Sequence, residues 1–374
     1  MTQTASPVTE SSPTGAVPSE QTSAGATATA RPPSKRDAHL DNAKFLGVLL
    51  VVCGHVLVRL RDAPGAHALY LFIYMFHMPL FIVLAGYFSR GFSLSSGKAR
   101  KLITSVAVPY VVFETAFSIY RWAIGVAHRP EVSLLDPYFV TWFLIALFVW
   151  RLSTPVWQQL RWPLAAAVVI SVLSGMANLP SMMDLYRVLG LLPFFVLGLL
   201  LKPEHFEAIK QPRVRVIGVM VLLCGFIGAN IVHRHMTTEW ALWRIGFAEM
   251  HVSNLTGAVM RLGMLTAGAV LVAAFLTAVP VRQMWFTRYG SATMYAFLLH
   301  GFGVKLVQGK GWDQAGWLHT TPGVAVAMAA AVGFGILLMT APVLRVTRWA
   351  VSPALDWAFT RPTASPAGPP RRPA

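Results

Sequence analysis

Cysteine and charged side chains are scarce in this sequence of 374 residues. The two cysteines, Cys53 and Cys224, lie in apolar segments, and this placement gives no disulfide framework. The sequence contains no Walker or dinucleotide glycine motif, no Cys/His spacing typical of zinc sites and no repeat of fixed period. The chemistry is therefore left to polar side chains within the apolar segments.

Residues 1–34 contain no lysine or arginine before Arg31 and no apolar core, so they lack the pattern of a signal peptide. They are rich in Ser, Thr, Ala and Pro, a composition typical of disorder. We predict a disordered cytoplasmic tail over residues 1–36, a membrane domain over residues 37–348 and a Pro/Arg-rich cytoplasmic tail over residues 349–374. The arginines of the last tail are expected to contact anionic lipid head groups.

Apolar residues make up 55% of the chain and charged residues only 12%, with a mean hydropathy of +0.56. A soluble domain is far more polar. Because a membrane-spanning helix needs about 20 mostly apolar residues, we predict an all-α polytopic membrane protein with about ten transmembrane helices. The candidate spans are 42–60, 68–88, 102–126, 138–152, 162–179, 186–201, 213–232, 257–279, 291–308 and 322–344.

The formal net charge of +16 is compatible with nucleic-acid binding, but the positions of the basic residues argue against it. They concentrate in alternate connections between the candidate spans. The opposite connections hold few basic residues: Arg61, Arg129, Arg234, Arg244 and Lys310. By the positive-inside rule, we predict a multi-pass protein of the plasma membrane with both termini in the cytoplasm. The expected partner is the lipid bilayer and not nucleic acid.

The first candidate span, "FLGVLLVVCGHVLVRL", contains one titratable residue, His55. On a helix, Asp41, Lys44, Val48 and His55 share one face. The glycines of this span allow a neighbouring helix to approach closely, so His55 is expected to face the protein interior. A buried histidine that only hydrogen-bonds between helices is the alternative interpretation.

Three further ionisable residues lie in other apolar spans. His77 shares a face with Tyr70 and Tyr74, Glu114 follows Tyr110 by one turn, and His300 lies in "ATMYAFLLHGF". Buried ionisable groups need partners, so we expect these residues and His55 to share a polar cavity.

A neutral imidazole in such a cavity can take a proton from a hydroxyl, and a carboxylate such as Glu114 can orient a histidine. This inventory suits acyl transfer to an alcohol. It suits a proton-coupled transporter as well, and composition does not separate the two.

Six segments occur in this order along the chain: "RDAHLDNAKFLGVLLVVCGHV", "YMFHMPLFIVLAGYFSR", "KLITSVAVPYVVFE", "TWFLIALFVWRL", "LLPFFVLGLLL" and "MYAFLLHGF". Together they resemble the acyltransferase-3 family of integral-membrane O-acyltransferases, above all its fucose 4-O-acetylase-like or Nod-factor acetyltransferase-like branch. The resemblance covers about residues 36–345.

The resemblance implies a ten-helix core that moves an acetyl or short acyl group from acyl-CoA to a hydroxyl of a carbohydrate, glycolipid or glycoside acceptor. Acetyl-CoA is then a co-substrate, and no cofactor is held. The family's essential first-span histidine corresponds to His55, and other recurring positions correspond to Asp41, Lys44, His77 and His300. Tyr74 and Tyr110 are added to the cavity from their positions beside His77 and Glu114.

The phosphates of the acyl-CoA donor are expected to bind at the basic loop after the second candidate span. This loop contains Arg90, Lys98, Arg100 and Lys101. Here the sequence departs from the family, because Lys98-Ala99-Arg100 stands where an Arg-x-Arg motif is usual. Such a cluster also serves orientation and lipid contact, which is the alternative interpretation.

Other functions remain open from the sequence. A transporter or flippase of a polar or lipid-linked substrate is the second hypothesis, and a non-catalytic subunit of glycan assembly is the third. The segment "HRHMTTEWALWRIGFAEMH" contains His233, His235 and Glu239 but no clear fourth ligand, so no metal site is expected. Trp240 and Trp243 are interpreted as head-group anchors, and Asp184 with Arg187 as a local ion pair.

Overall fold

The computed structural model describes residues 36–180 and 182–359, and within these ranges every regular element is a helix. The α-helices are α1 Ala38–Leu57, α2 Ala66–Ser89, α3 Ser96–Leu102, α4 Val108–Ala123, α5 Trp142–Gln159, α6 Pro163–Met176, α7 Leu185–Gly190, α8 Leu192–Leu200, α9 Pro203–Ile209, α10 Pro212–Val232, α11 Thr238–Leu242, α12 Asn254–Ala278, α13 Thr293–Gly309, α14 Thr321–Leu337 and α15 Ala341–Val351. The predicted all-α fold class is confirmed.

Five helical segments in the described ranges are long and apolar enough to cross a membrane. They are α1, α2, the continuous stretch Gly97–Ala123, α10 and α12. Two bent pairs raise the number to as many as seven: Met182–Gly190 with α8, bent by 51°, and α14 with α15, bent by 71°. The chain is therefore a polytopic membrane protein, and the count of ten spans stays a prediction.

Most candidate spans differ from the helices by a few residues at their ends, and in two of them the backbone shows why. The fourth begins at Trp142, not at residue 138, because Phe139 adopts a positive φ of 56° that interrupts the helix. The tenth ends at Leu337, and the chain then turns into α15, which has Pro342 in its first turn and continues to Val351. The predicted tails lie outside the described residues over 1–35 and 360–374.

Local sequence explains where several helices begin or change. The Asp37 carboxylate accepts a hydrogen bond from the His39 backbone N–H at 2.9 Å and caps α1. Ser253 and Thr320 cap α12 and α14 in the same way. Between α3 and α4, residues Ile103–Ala107 form a π-helical turn. Pro109 lacks the N–H that an α-helix needs at this point, which accounts for the irregular turn.

The interior of the bundle is built around α1 and α2. Helix α1 packs against α2, α13 and α14, and α2 packs against α8, α10 and α12. Gly86 of α2 and Gly198 of α8 lie where these helices cross. A Cβ atom at either position would collide with a backbone carbonyl oxygen of the other helix, Phe195 or Val83 respectively. Two glycines thus allow the close approach of α2 and α8.

Candidate active site

A cavity of about 520 Å³ lies beside the last turn of α1. His55 projects from that turn and lines the cavity. Its ring centroid lies 4.6 Å from that of Phe139, 5.2 Å from that of His300 and 6.2 Å from that of Tyr74. Because His55 is only half-buried, part of its imidazole is accessible from the cavity.

The structure brings the three predicted histidines together. His77 lies 4.6 Å from Tyr74 between ring centroids, and both side chains line the cavity. Nδ1 of His77 is 2.9 Å from the Ile73 carbonyl oxygen, and Nδ1 of His300 is 2.9 Å from the Ala296 carbonyl oxygen. A carbonyl oxygen only accepts, so both Nδ1 atoms donate and each Nε2 presents a lone pair. Nε2 of His300 is buried and has no hydrogen-bond partner within the described residues.

Glu114 is not brought to the histidines. Its Oε2 accepts hydrogen bonds from the Tyr138 backbone N–H at 2.9 Å and from the Thr141 hydroxyl at 2.6 Å. The nearby Tyr110 hydroxyl donates to the Leu134 carbonyl oxygen at 2.8 Å. Both predicted residues therefore hold the connection before α5, which carries Phe139 against His55. The expected pairing of Glu114 with a histidine is not formed.

Asp41 and Lys44 do not line the His55 cavity either. They form an ion pair with a distance of 2.5 Å between Lys44 Nζ and Asp41 Oδ1. Val48, on the same face, is fully buried between this pair and His55. Lys44 is eleven positions before His55, which is roughly 16 Å along the helix axis. These residues share one helix face, as the spacing predicts, but the buried Val48 side chain separates the Asp41–Lys44 ion pair from His55.

The predicted donor-binding residues lie at the same end of the bundle as Lys44, whose ammonium is 5.5 Å from the Phe88 ring centroid. Arg90 donates to the carbonyl oxygens of Tyr87 and Leu201, both at 2.9 Å. Lys98 donates to the Gly91 carbonyl oxygen, and the Arg100 guanidinium lies 4.6 Å from the Phe359 ring centroid. Lys101 is exposed. This basic connection is thus separate from the His55 cavity.

Several cavity residues were missed from the sequence. Trp243 was interpreted as a head-group anchor, yet it is buried, lines the cavity and stacks on Arg261 at 4.6 Å. Phe139 was placed inside a helix. Lys305, five positions after His300, lines the cavity with its ammonium 4.4 Å from the Phe139 ring centroid. Its spacing from His300 gave no signal, because residues five apart do not share a helix face. The available signal was a charged residue within an apolar span.

The charges of the cavity are mostly positive. Arg187 pairs with Asp184 at 2.5 Å, as predicted, and Arg244 approaches Glu239 at 3.4 Å. Arg61 and Lys305 also line the cavity, and neither pairs with a carboxylate in the described part of the chain. Arg61 bonds instead to the Val58 carbonyl oxygen and the Thr238 hydroxyl, and Lys305 to the Gln308 side chain. The cavity therefore favours groups that carry or develop negative charge.

Residues 36–180 and 182–359 contain no group of three or more His, Cys, Asp or Glu side chains that could hold a metal ion. His233 lies against His67 with ring centroids 5.6 Å apart, and its Nδ1 is 2.7 Å from the Asn230 carbonyl oxygen. Glu239 is directed to Arg244.

Two curated relatives share part of this sequence. The nodulation protein NolL of Sinorhizobium fredii is 29% identical over 183 residues, which cover 45% of this chain and 49% of the relative. NolL of Mesorhizobium japonicum is 42% identical over 62 residues, or 16% of this chain and 17% of the relative. The matches thus span half or less of either relative. No solved structure matches the chain.

The family comparison covers most of the chain. The acyltransferase-3 profile, described as an acyltransferase domain, matches residues 37–340. This range includes α1 to α14 and every cavity residue discussed above. The chain therefore belongs to the acyltransferase-3 family.

Proposed function

We propose that this protein is a membrane O-acyltransferase that moves an acyl group from acyl-CoA to a hydroxyl of a carbohydrate or sugar-containing acceptor. The observation that carries the proposal is the half-buried His55 imidazole, which shares its cavity with His77 and lies 5.2 Å from His300 between ring centroids. Family membership supports acyl transfer as the reaction class. The donor, the acceptor and the role of His55 are our inference.

In this mechanism His55 is the general base. His55 first turns so that one ring nitrogen donates to Nε2 of His300, which has no other partner in the described part of the chain. The other ring nitrogen then takes the proton of the acceptor hydroxyl as its oxygen attacks the thioester carbonyl. His300 suits this part because its Nδ1–H is bound to the Ala296 carbonyl oxygen, which leaves Nε2 as an acceptor. The two rings are neighbours, with 5.2 Å between their centroids. His300 thereby takes the orienting role that the sequence suggested for Glu114.

The attack places negative charge on the former carbonyl oxygen. Lys305 is suited to stabilise this charge, because its ammonium and the His55 ring lie against the same Phe139 side chain. Such positioned charges lower the barrier of acyl transfer. Polar groups of the remaining lining, such as Arg61 and Glu239, are available to an acceptor that is rich in hydroxyl groups.

The donor is proposed to bind from the cytoplasmic side of the plasma membrane, with both chain termini on that side. The basic connection with Arg90 and Lys101 provides charge for the CoA phosphates. His55 and its cavity lie toward the opposite end of α1, so the acyl-bearing arm has to cross about 16 Å of the bundle, the distance between Lys44 and His55.

Acyl transfer in membranes that carry the protein tests this proposal. Acetyl-CoA labelled in the acetyl group is supplied from the cytoplasmic side, and the label is measured in extracted glycans and lipids. Wild-type protein should label an acceptor, and His55→Ala should lower the rate by about 100-fold or more. His128→Ala is the matched control, because His128 is exposed and outside the cavity lining.

Equal labelling by wild type and His55→Ala would remove His55 from the mechanism. Labelling by neither, across several thioesters and acceptor pools, would contradict the acyltransferase and favour a transporter.

A further inference from the structure

His55 lies between two cavities of opposite character. Besides the polar cavity described above, it lines a second cavity of about 330 Å³ between α1, α13 and α14. The walls of this second cavity are mainly small or aliphatic residues, among them Val52, Val56, Val304, Ala327 and Ala331. We call it the apolar cavity. His55 is thus the titratable side chain at which the two cavities meet.

Polar groups of the apolar cavity other than His55 lie toward the end of α1 beyond His55. Arg59 donates from Nε to Oδ2 of Asp313 at 2.7 Å, and this ion pair lines the cavity together with Gln308. Between the ion pair and His55, the wall is formed by side chains such as Val56 and Val304. A polar ligand would find few partners on that wall, whereas an alkyl chain would lose its contact with water there.

Chemical connectivity decides which alkyl chain fits. In acyl transfer the reacting carbonyl carbon is bonded directly to the acyl chain, so that chain begins at the base. The tail of a glycolipid acceptor begins at the far side of its sugar, away from the hydroxyl that reacts. Of these two alkyl chains, only the acyl chain has to start at His55, where the apolar cavity starts.

We propose that the apolar cavity binds the chain of the transferred acyl group, and that the protein accepts acyl groups longer than acetyl. This inference rests on the proposed function. His55 takes the proton of the acceptor hydroxyl, whose oxygen forms the ester bond, and the carbon–sulfur bond of the thioester breaks. The thiolate leaves with the proton, so an ester and a free thiol replace an alcohol and a thioester.

A chain-length series tests the proposal. Membranes carrying the full chain receive acetyl-, butyryl-, hexanoyl- or octanoyl-CoA, each labelled in the acyl group, and label is measured in extracted glycans and lipids. Wild type should transfer the longer groups. Ala327→Leu should lower the ratio of octanoyl to acetyl transfer by about tenfold or more, because added methyl groups fill the space of the chain. Ala327→Val should give a smaller change of the same sign.

Ala329→Leu is the matched control, since Ala329 is on the same helix but exposed and outside the cavity lining. Its ratio should equal that of wild type. Transfer of acetyl alone by wild type would overturn the inference and leave the proposed function intact. An equal loss for all chain lengths in Ala327→Leu would overturn it too, as would a loss confined to lipid-linked acceptors, which would assign the cavity to an acceptor tail. No transfer from any thioester would remove the proposed function itself.

Discussion

Helices α1 and α10 are both long and apolar, yet they occupy opposite environments. In α1, 72% of an apolar stretch of 18 residues is buried inside the protein, whereas in α10 only 11% of the corresponding stretch is buried. The buried helix is the less hydropathic of the two. In a membrane, lipid solvates an apolar helix well, so packing inside the bundle is not a consequence of hydropathy. Ionisable residues in the span mark the interior helix instead: α1 carries Asp41, Lys44 and His55, whereas α10 carries charge only in its first turn.

The same contrast separates functional from peripheral residues. His55, His77 and His300 lie on α1, α2 and α13, which contribute to the interior of the bundle. The exposed side of α10 carries large apolar residues, among them Ile227 and Ile231. Four predictions sharpen this comparison. Three compare a substitution at an interior position with the same kind of substitution at a peripheral one, and the fourth compares one peripheral histidine at two pH values.

The largest effect is expected at His300. His300→Leu removes the acceptor proposed to orient His55, and acyl transfer should fall by about 100-fold. The measurement is the rate of label transfer at saturating acetyl-CoA, with protein amount in the membrane held equal. His128→Leu, at an exposed position, should leave the rate unchanged. A near-normal rate in His300→Leu would contradict the proposed orienting role.

A second large effect is expected on stability. Gly198→Leu forces a side chain into the crossing of α2 and α8, and overpacking of this kind costs about 1–3 kcal/mol or more. Gly228→Leu on α10 should be nearly neutral, because a Cβ atom there has no neighbour within 4 Å. Thermal unfolding of both detergent-solubilised variants measures the difference. Similar melting temperatures for the two would show that the α2–α8 crossing is not tight.

A moderate effect is expected at Lys305. Lys305→Gln removes the positive charge beside His55, and kcat should fall by about tenfold or more with little change in KM, since the charge acts on the developing oxyanion. Lys310→Gln is the control at an exposed position directly after the same helix. An increase in KM at constant kcat would instead place Lys305 in substrate binding.

The smallest effect is expected at His319, outside the long apolar helices. Nδ1 of His319 lies 2.7 Å from Asp62 Oδ1, and Nε2 lies 2.9 Å from the Asp313 carbonyl oxygen. Both partners accept, so the doubly protonated ring is favoured, and the hydrogen bond to Asp62 raises the pKa of His319 above its usual value. The folded pKa is above the unfolded one, so the stabilisation is full below the unfolded pKa and is lost as pH rises through the folded pKa.

The melting temperature of wild type relative to His319→Gln should therefore be higher at about pH 5.5 than at about pH 9. The difference should be small because the Asp62 side chain is exposed to solvent. A difference that grows with pH would contradict the assignment.

Part of the candidate site was predictable from the sequence, and part was not. Burial cost makes an ionisable residue in an apolar span informative, which is why His55, His77 and His300 could be grouped. Helical periodicity defines the face of a residue only within its own helix. It does not define how neighbouring helices are rotated, so Glu114 could not be excluded from the cavity. Phe139 and Trp243 depend on non-helical backbone with positive φ, which no apolar pattern reveals.

The sequence by itself determined the membrane environment, the helical class and the family, because these follow from apolar length and from ordered motifs. The tertiary structure alone decided that His300, and not Glu114, is next to His55, and that His55 divides a polar cavity from an apolar one. The physical reason is that hydropathy acts on each helix separately. Contacts between helices depend on how side chains of particular shape pack, as at Gly86 and Gly198.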